Sequence, residues 1–61
     1  MQNLELKNQL YFLTSDLNRL KSRRRDILER NITSMPPELE IELIKLNTLI
    51  SEKEAEIRNI L

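Results

Sequence analysis

From Leu6 onward the apolar residues recur at Leu6, Leu10, Leu13, Leu17 and Leu20, pass through Arg24 and return at Ile27, in alternating steps of four and three. Steps of that size come back to one side of an α-helix, so the segment predicts a narrow heptad seam with Leu10 and Leu17 at a and Leu6, Leu13, Leu20 and Ile27 at d. A second stretch repeats the rule at Leu39, Leu43, Leu46, Ile50, Lys53, Ile57 and Ile60. Each seam is interrupted once by a cation, Arg24 in the first and Lys53 in the second.

Between the seams lies Asn31-Ile32-Thr33-Ser34-Met35-Pro36-Pro37, which holds both prolines of the chain. Asn31 is expected to stand in for glycine at a left-handed helix terminus, with Ile32 folding back on Ile27. Pro36 and Pro37 suit the first residues of a helix, where a missing amide hydrogen costs nothing. The reading is one helix over about residues 3–31, a loop over about 32–36 and a second helix over about 37–61. So short a loop makes the helices antiparallel neighbours. The expected fold class is therefore all-α, a coiled-coil-like antiparallel two-helix hairpin. Its register sets Ile27 beside Leu39, Leu20 beside Leu46, Leu17 beside Ile50 and Leu6 beside Ile60.

Composition supports this and removes several chemistries. The 61 residues include no Gly, no Val and one Ala against twelve Leu and seven Ile, so strands and tight β-turns have little raw material. With no Cys and no His there is no thiolate or imidazole for a zinc site and no Cys nucleophile. Without glycine there is no phosphate-cradling loop. Glu38 with Glu42, and Glu52 with Glu56, share helix faces at i, i+4, but nothing in the pattern encloses them. No catalytic residue, metal site or cofactor is expected. The longest apolar run, Leu10-Tyr11-Phe12-Leu13, is far too short to cross a bilayer, and the N-terminal segment lacks a signal-peptide pattern, so no membrane partner is expected and a cytoplasmic location is. Met1 points to a natural start, although a module of a longer coiled coil would read much the same.

Charge separates the two halves: residues 1–31 carry seven cations and four anions, whereas residues 32–61 carry three and six. The zero net charge thus hides a helix of +3 facing one of −3. An elongated hairpin of this size buries less surface than a compact domain, and neither a disulfide nor a metal is available to compensate. A homodimer, closing into a four-helix bundle, is the expected remedy. The second helix offers a face for it: Ile41, Ile44, Thr48, Ser51 and Ala55 form another stripe, roughly 150° around from the seam at about 100° per residue. Ile41, Ile44, Thr48 and Ala55 are the self-association candidates.

Two further features point to partners. Tyr11 and Phe12 lie off the first seam and form an aromatic pair of the kind favoured at protein interfaces. The run Arg19, Lys21, Arg23, Arg24, Arg25 is basic, but Arg24 points into the seam and Arg23 sits within reach of Glu42. That leaves Arg19 and Arg25 facing outward. Tyr11, Phe12, Arg19 and Arg25 are accordingly the partner-binding candidates. They support a small non-catalytic interaction protein (adaptor, inhibitor or assembly factor) acting on an unidentified protein. The alternative is an RNA- or other nucleic-acid-binding hairpin dimer that uses the basic end of the first helix.

In length and helix pairing the plan resembles the small plasmid copy-number proteins, which dimerise as helical hairpins and bind RNA loops. The stretch Leu43-Ile44-Lys45-Leu46-Asn47-Thr48-Leu49-Ile50 is similar to the Ser-x-x-Leu-Asp-x-Leu-Ile signature of the small aspartyl-phosphate phosphatases of sporulating bacteria, another hairpin family. Leu43 stands at the serine and Asn47 at the aspartate, so that family's chemistry does not carry over.

Overall fold

The computed structural model describes residues 2–31 and 33–61. Two helices account for nearly all of them, α1 over Gln2–Arg30 and α2 over Pro37–Ile60, packed side by side into a rod of 50 × 15 × 13 Å. Contacts between them run in opposite directions along the chain: Arg23 meets Glu42, while Lys21 meets Glu54 and Asp16 meets Lys53. The hairpin is antiparallel.

The seams supply the core. Among the described residues Leu17 and Ile27 from α1 and Leu46 and Ile50 from α2 are the buried hydrophobic ones, and all four occupy positions of the heptad pattern. Burial fades toward the open end, opposite the loop, where Leu6 is already exposed. Arg24, the cation inside the first seam, is partly covered, and its Nη1 donates to Asn47 Oδ1 at 3.0 Å. The Lys53 side chain is 29% exposed, and its ammonium lies 4.0 Å from Asp16 and 3.9 Å from Glu56. Both cations are half-buried and bring the charge to a polar group, as long stems on an apolar seam allow.

The helix ends follow local chemistry. Pro36 occupies the N-cap of α2 with φ −61° and ψ 147°, the extended conformation that a following proline imposes. Pro37 is the first helical residue, and the Pro36 carbonyl accepts from the amides of Leu39 and Glu40 at 3.0 and 3.2 Å. Glu38 and Glu40 then place negative charge at the positive end of the helix dipole. The end of α1 differs from the expectation. Among the described residues no non-glycine residue has a positive φ; instead Asn31 Nδ2 donates to the Ile27 carbonyl at 2.8 Å. The side chain satisfies an orphan carbonyl that a left-handed turn would otherwise have satisfied. The Ile32 contact with Ile27 falls outside the described residues.

Candidate functional site

The candidate residues fall into three sets, of which the arginine set is itself split between two recesses. Tyr11 and Phe12 stand near the open end of α1, 68% and 66% exposed. Their backbone directions diverge by about 100°, yet the side chains turn toward each other. The ring centroids are 5.6 Å apart with the planes at 78°, an edge-to-face contact. The pair therefore forms one aromatic patch rather than two separate residues. Phe12 also borders an open, mainly apolar groove of about 460 Å³ between α1 and α2, lined with it by Gln9, Leu13, Glu56, Asn59 and Ile60. Neither that groove nor the ring contact was read from the sequence. The signal for the groove lay in the register, which brings the start of α1 to the end of α2.

The two arginine candidates are not brought together. Arg19 lies on the side of the hairpin where Asp16, Leu20, Leu49 and Lys53 line a shallow recess. Arg25 lies along a separate recess with Asn18, Lys21 and Leu28. Arg19 is further engaged with Asp16, its Nη2 donating to Oδ1 at 2.9 Å. Asp16 thus stands between two cations, Arg19 from its own helix and Lys53 from α2. The i, i+3 spacing of Asp16 and Arg19 announces this contact in the sequence.

The rest of the basic run is similarly occupied. Arg23 makes a forked contact with Glu42, Nε to Oε2 at 2.6 Å and Nη2 to Oε1 at 3.0 Å. The guanidinium hydrogen bond holds the Glu42 carboxyl below the usual carboxylate range, and the same hydrogen bond raises the Arg23 pKa. Lys21 lies 3.7 Å from Glu54. Two cations of the +3 helix, Lys21 and Arg23, are thus paired with carboxylates of the −3 helix.

The third set lies on the outer face of α2. Ile41 and Ile44 are 55% and 67% exposed, Thr48 and Ser51 are exposed, and Ala55 is half-buried. Thr48 Oγ1 donates to the Ile44 carbonyl at 3.2 Å, so its hydroxyl is satisfied within its own helix.

Among the described residues no group of acidic, histidine or cysteine side chains is arranged to hold a metal ion, and no helix is long and apolar enough to cross a membrane. No protein-family model matches the chain, and neither curated proteins nor solved structures yield a match.

Proposed function

We propose that this chain is a cytoplasmic, non-catalytic interaction module, a helical hairpin that works by associating with itself and presenting Tyr11 and Phe12 to a second protein. The observation that carries this reading is the imbalance of its apolar surface. Four hydrophobic side chains are buried among the described residues, whereas Leu4, Tyr11, Phe12, Leu28, Ile41, Ile44 and others of that size stay exposed. The accessible surface is 5091 Å², against about 4,200 Å² for a compact monomer of the same mass. A homodimer of four helices would cover much of that excess.

The arrangement of charge favours a protein over a nucleic acid as the second partner. A phosphate backbone is held by several cations along one track, but here Arg19 and Arg25 border different recesses and Arg19 and Arg23 are committed to carboxylates. The exposed edge-to-face aromatic pair has the character of an interface anchor. The test is an affinity capture from lysate, with and without nuclease, using the unaltered chain, Tyr11→Ala/Phe12→Ala and Arg19→Ala/Arg25→Ala. The aromatic variant should lose the partner while its helical circular dichroism persists, and the arginine variant should retain it with little salt dependence. Nuclease-sensitive capture that disappears in the arginine variant would overturn the reading in favour of RNA.

A further inference from the structure

Of the apolar surfaces left open, the outer face of α2 carries the most information about what covers it. Ile41, Ile44, Thr48, Ser51 and Ala55 repeat the three-four spacing of a coiled-coil seam, and Arg58 continues it at the next position. The bulky residues lie toward the N-terminal half and the small ones toward the C-terminal half. A helix with this asymmetry fits an antiparallel copy of itself, because Ile44 then meets Ala55, Thr48 meets Ser51, and Ile41 meets the aliphatic stem of Arg58. A parallel pair would instead set Ile against Ile, leave small residues facing small ones, and confront Arg58 with Arg58.

The flanking charges fit the same register. Antiparallel pairing brings Lys45 of one copy beside Glu52 of the other, and the two-fold axis repeats the contact. Among the described residues Lys45, Glu52, Glu40 and Arg58 take part in no ion pair within the chain, whereas Glu42, Glu54 and Glu56 are taken up by Arg23, Lys21 and Lys53. Two of the six glutamates of α2, Glu42 and Glu54, thus face cations of α1, while Glu38, Glu40 and Glu52 stay unpaired among the described residues. What remains outside is a mixture of both signs in complementary order. The Thr48 hydroxyl is already bonded to its own helix, so covering it strands no donor at that position. The excess of exposed surface over a compact monomer, roughly 900 Å², is close to the ~800 Å² that each partner contributes to a standard interface.

We infer that α2 is the dimerisation helix and that its occupant is the α2 of a second copy, paired antiparallel about a two-fold axis between Thr48 and Ser51 and fixed in register by two Lys45–Glu52 contacts. The four helices then lie side by side in the order α1, α2, α2, α1. Both Tyr11–Phe12 patches stay uncovered on the outer helices, which makes the dimer bivalent toward the second partner. This inference rests on the self-association proposed above, and a charge exchange separates the two.

Lys45→Glu and Glu52→Lys each replace two attractive contacts by two repulsive ones and should each weaken dimerisation roughly tenfold or more. Equal amounts of the two variants, mixed, should recover a dimer, since every 45–52 contact then joins opposite charges. Sedimentation velocity reads the assembly, and far-UV circular dichroism verifies that each variant keeps its helices. A dimeric unaltered chain whose variants dimerise equally well, or fail to recover on mixing, would overturn this interface while leaving self-association standing. A monomeric unaltered chain would overturn both.

Discussion

Glu42 is a half-buried residue through which the second helix holds the first. Its forked contact with Arg23 joins the two helices near the loop, and only an arginine presents two parallel donors to a carboxylate in this way. Because the guanidinium hydrogen bond depresses the folded-state pKa of Glu42, the contact's contribution is complete above the unfolded-state value and is lost as pH falls through the folded one. The corresponding raised pKa of Arg23 affects only strongly alkaline solutions. Thermal melts between pH 7 and pH 3 should therefore show a decline below about pH 4, the ordinary range of a glutamate, that is shallower in Glu42→Gln. Parallel acid limbs for the two proteins would show that the contact does not couple to folding. The Arg23–Glu42 pair was legible in the sequence, as was the place of Arg24 and Lys53 in the seams. Asp16 was not assigned its position between Arg19 and Lys53, because a heptad pattern marks which side a residue faces and not which of several neighbouring charges it chooses.

At the scale of elements, periodicity located both helices and the side each presents to the other, since steps of three and four are forced by helix geometry. The register set Leu6 beside Ile60, yet Leu6 is exposed, because spacing fixes which side a residue faces and not how much cover its neighbour gives at the open end. The end of α1 was less legible still. An asparagine there has two ways to satisfy the terminal carbonyls, a left-handed backbone or a side-chain hydrogen bond, and residue type alone does not choose between them. The structure uses the side chain, from Asn31 Nδ2 to the Ile27 carbonyl. Ile27 is the most deeply buried residue of the core, so this bond secures backbone where packing is tightest. Asn31→Ala should cost about 1 kcal/mol in chemical denaturation, the worth of an ordinary hydrogen bond, whereas Asn31→Gly, which restores the left-handed option, should recover part of it. Equal losses in both variants would show that the loop cannot adopt the alternative ending.

For the whole molecule, the decisive feature is what the hairpin leaves uncovered. The sequence exposed the outer stripe of α2 and the aromatic pair as features off the main seam. It did not reveal that the two rings close into one patch, because backbone directions say nothing of how adjacent side chains turn. Nor was Arg19 separated from Arg25, although six residues at about 100° each set them roughly 120° apart around α1, in line with the two recesses they border. A thin core, an open outer face and a basic run mostly directed at carboxylates are the features on which the proposed self-association rests. A chain stabilised by association must become more stable as its concentration rises, whereas an independent monomer gains nothing. The direct measurement is the melting temperature, followed by circular dichroism over a hundredfold range of protein concentration. The account predicts a rise on the order of 5 °C for each tenfold increase, and a melting temperature that does not change with concentration would contradict it.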